Sequence, residues 1–155
     1  MRTRIYIAGP ISSGDLLENI ANAELVFDVL VDLGYAPIIP HMSCFMGQVL
    51  RGHKSVEPQA NAMAISHEIW LEIDYSLLST CSAVIRISGK SPGADKEELV
   101  AEFLNIPVFR ISYHHKTEIM EESSKKAVYR QLSQMIKSLL EDSNICPTYE
   151  KEGKM

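Results

Sequence analysis

The segment SAVIRISGKSPGADKEELVAEFLNIPVFRI, residues 82–111, decides the fold. It opens on a β-branched apolar run, SAVIRI, with the composition of a buried strand. A Gly- and Pro-punctuated loop, SGKSPG, follows, and then a run with helical spacing. A second apolar run, IPVFRI, closes the segment. Strand, loop, helix and strand in this order make a β-α-β unit, whose crossover helix joins parallel strands. At a period of 3.6 the helix puts Ala94, Val100, Ala101 and Leu104 on one face, and Glu97 falls on that same face. A carboxylate inside an apolar stripe needs a reason. Glu98 and Glu102 do not share the anomaly: they form an i, i+4 pair on another, wetter face. Asp95 and Glu98 fit a D-x-x-E capping pattern.

The alternation extends in both directions. RIYIAG, near the N-terminus, reads as a short strand closed by Gly9-Pro10 and the small residues Ser12, Ser13 and Gly14. Asp15 is placed to cap a helix with Ile20, Ala23, Phe27 and Leu30 at helical spacing, ending at Gly34. YAPIIP is a second strand, and Pro37 assigns it to a strand start or a sheet edge. Residues 41–61 break the pattern, over a length that loops reach when they serve as lids or binding loops. A helix resumes near Ile65 with the stripe Ile65, Ile69, Ile73 and Leu77. After the 82–111 unit comes a long amphipathic helix whose expected buried set is Ile119, Val128, Leu132, Met135, Ile136 and Leu139. Residues 143–155 read as a polar tail beyond a domain of residues 1–142. The expected fold is a single-domain α/β structure. It is a doubly wound parallel sheet of flavodoxin- or Rossmann-like type, with helices on both faces.

Composition sets outer limits. The chain has 155 residues, 46% of them hydrophobic, which suffices for one domain with a sizeable core. Its net charge of −5 supplies no basic footprint for a nucleic-acid polymer. Cys44, Cys81 and Cys146 lack metal-ligand spacing and read as free cytosolic thiols. No signal peptide or membrane-length run is present in the sequence, so a cytoplasmic protein is expected. His41, His53, His67, His114 and His115 pair with no cysteine at metal spacing, so neither metal nor cofactor is expected. A dinucleotide fingerprint, a Walker loop and a G-x-S-x-G elbow are all missing.

In a doubly wound sheet, ligands bind beyond the carboxyl ends of the strands. The loops GPISSG and SGKSPGAD leave two such ends and share one rim if both strands are parallel. Glu97, read as lying in the first turn of its helix, then faces a cleft. The helix dipole favours its ionised form and desolvation opposes it. An oriented, poorly hydrated carboxylate is suited to act as a nucleophile. The plain alternative is a glutamate that only complements the dipole.

Three segments together carry a resemblance. The first is a strand with a tyrosine followed by a Gly loop, Tyr6 and Gly9. The second is DYSLLSTCSAVIRI, which begins at Asp74. The third is Ser91, Gly93, Glu97, Ala101 and the strand IPV. In this order and spacing the chain resembles the nucleoside 2-deoxyribosyltransferase superfamily, which includes nucleoside 5'-monophosphate N-glycosidases, and most nearly a poorly characterised branch of it. The resemblance implies an enzyme that cleaves or exchanges the N-glycosidic bond of a (deoxy)nucleoside or nucleoside 5'-monophosphate. It implies Glu97 as the nucleophile that forms a glycosyl ester, Asp74 in proton transfer or sugar orientation, and Tyr6 as the group holding Glu97. Gly9, Gly93 and Ser91 would line the substrate, Ser91 near its 5' end with Ser12 and Ser13 as helpers, and His41 the base pocket. A homodimer or higher homo-oligomer is implied as well. The long C-terminal helix and the apolar set around Trp70 are the surfaces offered for it.

The chain departs from the family at several points. Leu99 stands where members often carry Gly, and Ser82 where many carry an acid. Ser91 stands where many transferases carry Asp. Pro10 and Ser12 replace the Ser and Arg of several monophosphate glycosidases. A nucleotide-binding or sensing module with little turnover is the other class the same fold allows.

Overall fold

The computed structural model describes residues 1–11, 13–40, 67–112 and 122–148. The described residues form β1 (Arg4–Ala8), α1 (Leu16–Asp32), β2 (Ala36–Ile38), α2 (His67–Leu78), β3 (Ala83–Ile87), α3 (Pro92–Phe103), β4 (Val108–Ile111) and α4 (Glu122–Asp142). The strands make one parallel sheet in the order β2-β1-β3-β4. The sequence order reverses direction between β1 and β3. Ala8 pairs with Arg86 there, so the loops after both strands leave the same rim. The expected doubly wound α/β fold is the observed one. The 41–61 loop and His41 lie outside the described residues, as do Ser12 and Ile119.

Strand alternation divides the interior in two. Ile5 and Ile7 of β1 and Ala83, Ile85 and Ile87 of β3 pack with α1 and α4 on one side. Tyr6, Ala8 and Val84 pack with Leu78, Ala94 and Ala101 of α2 and α3 on the other. Both faces of β1 and β3 are therefore dry, which is why their sequences are apolar runs rather than alternating ones. β2 is the half-buried edge, and Pro37 sits in it as a residue with no N–H to give a further neighbour.

The helix caps follow the sequence. Asp15 accepts from the amides of Leu17 and Glu18, and the chain turns out of α1 through Gly34 at φ +94°. The buried faces differ from expectation at several points. α1 buries Asn22, Ala23, Val26, Val29 and Leu30, while Ile20 and Phe27 are half-buried. Its inward arc is wide because α1 touches both the sheet and α4. On α4, Leu132, Ile136 and Leu140 are buried, Val128 and Leu139 half-buried, and Met135 exposed. That stripe is spent inside the protein, against α1. The larger correction concerns α2. Ile69, Ile73 and Leu77 face outward, and the inward line is Trp70, Asp74 and Leu78. On α3, Glu98 takes an inward position and Leu104 is exposed.

The segment read as a polar tail begins tied to the domain. Ile145 packs on the α1–α4 core, Tyr35 Oη donates to its carbonyl at 2.7 Å, and Thr3 Oγ1 donates to the Cys146 carbonyl at 2.8 Å.

Gly89, in the loop after β3, has φ +136°, and a Cβ there would lie 2.5 Å from Pro10 Cγ. The loops of β1 and β3 touch only because this residue has no side chain. Gly93 has an ordinary φ and no described atom within 4 Å of such a Cβ. Gly89→Ala is expected to lower the unfolding free energy by about 2 kcal/mol. Gly93→Ala is expected to leave it unchanged or raise it by about 0.5 kcal/mol. Urea denaturation of both variants checks the contrast.

Candidate active site

Tyr6, fully buried in the middle of β1, points to the α3 side of the sheet and donates a 2.8 Å hydrogen bond to Glu97 Oε1. Glu97 is 4% exposed. α3 begins at Pro92, so Glu97 is in its second turn rather than its first. The helix dipole is weaker there, and desolvation prevails. Burial pushes the Glu97 carboxyl from 4.5 up to about 7. The Tyr6 hydrogen bond lowers it, the Asp74 carboxylate raises it and the Arg86 guanidinium lowers it. Burial and the nearby Glu97 and Asp74 charges push the Tyr6 phenol far up, so it remains a donor. Asp74 reaches this group from the inward line of α2. Tyr75 beside it feels both carboxylates, after burial the causes of its own upward shift.

Ser91 is the N-cap of α3. Its Oγ accepts from the Ala94 amide at 3.2 Å and donates to the Gly9 carbonyl at 3.4 Å. The Asp95 amide donates to the Ser91 carbonyl at 2.9 Å. Pro92 at the first helical position has no N–H. The Ser91 hydroxyl is thus engaged in joining the two rim loops, and the Gly93 N–H stands at the open end of the helix. Ser13 lies elsewhere. It lines a crevice of about 370 Å³ with Asn19, Asn22, Ser88 and Lys90, on the α1 side of the rim, away from Glu97.

The structure thus brings Tyr6, Asp74 and Glu97 together, with Gly9, Ser91 and Gly93 along the adjoining loops. Two neighbours went unread in the sequence. Tyr75 gave no sign beyond adjacency to Asp74. Arg86 gave a clear one, a guanidinium inside the apolar run SAVIRI. Glu98 is a correction: it is not on a wet face but 9% exposed, with Arg86 Nε at 3.9 Å and Arg110 on its other oxygen. Asp95 pairs with Arg86 at 2.8 Å, and Ser91 does the capping. Among the described residues no His, Cys, Asp and Glu group is arranged to hold a metal, and no helix is long and apolar enough to cross a membrane.

No family model matches the chain. No curated protein matches it either. Among solved structures it is similar to a 2-deoxyribosyltransferase from the psychrotolerant bacterium Bacillus psychrosaccharolyticus. The identity is 19%, over 84% of this chain and 90% of that one, with a TM-score of 0.51. At that identity the likeness establishes the fold.

The titration of Glu97 has a consequence for stability. Between about pH 4.5 and pH 7 the folded chain keeps a proton on Glu97 that the unfolded chain releases. Stability at this residue is therefore full below the lower value and falls as pH rises, by about 3 kcal/mol in total. Glu97→Gln removes the loss. Urea unfolding across this range is expected to show the wild type losing ground steadily to the variant. A constant difference would mean that Glu97 titrates as an ordinary carboxyl.

Proposed function

We propose that the protein cleaves or exchanges the N-glycosidic bond of a nucleoside or nucleoside 5'-monophosphate, with Glu97 as nucleophile. The observation that carries this reading is the buried 2.8 Å Tyr6–Glu97 pair between β1 and α3, with Asp74 close by. The likeness in fold to a 2-deoxyribosyltransferase supports it. In the first step a Glu97 oxygen bonds to the sugar's anomeric carbon. The carbon–nitrogen bond breaks, and its electron pair leaves with the base, which takes the proton of a protonated Asp74. In the second step the ring nitrogen of an acceptor base, or water, attacks the same carbon. The ester bond breaks, Glu97 regains its charge, and the incoming group's proton goes to Asp74. Tyr6 fixes the Glu97 rotamer through the hydrogen bond and stays protonated throughout.

The 5' end of the sugar is assigned to the start of α3. An uncharged cap at Ser91, the Gly93 N–H and the helix dipole suit a phosphate without a lysine or arginine. Glu97 must be ionised to attack, so kcat/KM is expected to rise with pH through about 7. The test incubates wild type, Glu97→Ala and Glu102→Ala with matched deoxynucleosides and their monophosphates, with and without an acceptor base. The expected result is free base from the wild type and Glu102→Ala, a loss of at least about a thousandfold in Glu97→Ala, and a preference for the monophosphate. Binding of these ligands without release of base in the wild type would replace this reading with a non-catalytic binding module.

The working unit is proposed to be a homodimer that meets through α2 and α3. Ile69, Ile73 and Leu77 on α2, Leu99 and Phe103 on α3 and Leu104 at the α3 C-cap are exposed large apolar side chains, and Phe103 is 85% exposed. The two helices pack side by side on the same face of the sheet. Apolar surface so concentrated marks a protein contact, and a second copy offers the same surface in an isologous pair. Phe103→Glu is expected to convert a dimer to a monomer in light scattering with its helical content unchanged. A wild type that scatters as a monomer at working concentration contradicts the assignment.

A further inference from the structure

Arg86 is the residue that the interior of the sheet accommodates least. It sits near the end of β3, every position of which is buried, and its side chain is 7% exposed. A guanidinium so placed persists only if its donors are used. One terminal nitrogen donates to the Ile87 carbonyl. The other donates to the Gly89 carbonyl at 3.1 Å and to Asp95 Oδ1 at 2.8 Å. Nε lies 3.9 Å from Glu98 Oε2, and the other Glu98 oxygen pairs with Arg110 of β4.

These partners flank Glu97. Asp95 precedes it and Glu98 follows it on α3, while Gly89 belongs to the loop that leads into the helix. We infer that Arg86 is a positioning residue for Glu97, clamping α3 on both sides of that carboxylate. The guanidinium charge also favours the ionised carboxylate. The inference rests on the proposed role of Glu97. Among the described residues, the charged and titratable groups around Glu97 are Tyr6 from β1, Asp74 and Tyr75 from α2, Arg86 from β3, and Asp95 and Glu98 on its own helix. Three of these, Asp74, Asp95 and Glu98, are carboxylates that resist a further negative charge, whereas Tyr6 gives Glu97 a hydrogen bond. Asp95 and Glu98 are balanced by arginines. Without Arg86 the balance fails, α3 loses its tie to β3, and Glu97 holds its proton to higher pH.

The test follows the Glu97 carboxyl by carbon-13 NMR in the full chain, without substrate, in wild type, Arg86→Gln and Arg86→Lys. Beside it stands the pH profile of kcat/KM. In Arg86→Gln, Glu97 is expected to titrate at least about one pH unit above the wild type, with the acid limb of activity moving equally. Arg86→Lys keeps the charge but cannot span Gly89, Asp95 and Glu98 together. A smaller upward shift and a roughly tenfold fall in kcat at unchanged KM are expected there. Folded Arg86→Gln with Glu97 titrating as in the wild type overturns the inference. If that variant does not fold, Arg86→Lys with wild-type titration and wild-type kcat overturns it. Because the titration needs no turnover, an upward shift in a protein that cleaves no nucleoside upholds the role of Arg86 and refutes only the glycosidic chemistry.

Discussion

The hydrogen bond from Tyr6 to Glu97 is the constraint around which the rest of the molecule is arranged. It spans 91 residues of sequence and joins the middle of a central strand to the second turn of a helix. Both groups are buried, so neither can exchange the bond for one to water without opening the interior. A buried hydrogen bond to a carboxylate is among the stronger ones, and losing one partner strands the other. The bond requires β1 and β3 in parallel register, α3 leaving β3 at the same rim, and the Gly89–Pro10 approach that lets the two loops touch.

The sheet divides labour between its faces. The α1–α4 side is apolar, and Ile145, beyond α4, packs on it. The α2–α3 side carries the polar interior: Tyr6, Asp74, Arg86, Glu97 and Glu98. Polar groups there are tolerated because each finds a partner. Arg86 serves Gly89, Asp95 and Glu98, and Arg110 serves Glu98. Glu97 is the exception to this balance. Its neighbours oppose one another, and burial leaves it titrating near neutrality, where a carboxylate can be both available and poorly hydrated. The same side also bears the exposed apolar residues of α2 and α3, so the polar interior lies beneath the surface proposed to receive a second copy.

The fold was legible because strands buried on both faces write themselves as continuous β-branched runs, and RIYIA and AVIRI are such runs. Periodicity singled out Glu97 as a glutamate in an apolar stripe, but its meeting with Tyr6 was implied only by the resemblance, since Tyr6 by itself reads as an ordinary strand aromatic. Periodicity failed at α2. It identified Ile69, Ile73 and Leu77 as one face, but a period alone does not say whether that face meets the core or the outside. It failed again at Glu98, whose burial depends on Arg86 and Arg110, supplied by two strands on either side of the helix in sequence. Ser91 was recognised as a polar group near a helix start, yet its hydroxyl is taken up by the Ala94 amide and the Gly9 carbonyl, which only the contact of two distant loops could reveal.

The account's central claim is that Glu97 becomes bonded to the sugar. Rapid acid quench of the enzyme during turnover of a deoxynucleoside monophosphate, followed by peptide mass spectrometry, tests it most directly. The account predicts one added glycosyl group on the peptide that carries Glu97, labile to base and lost on adding an acceptor base before the quench. Base release with no adduct, or an adduct on another residue, would contradict it.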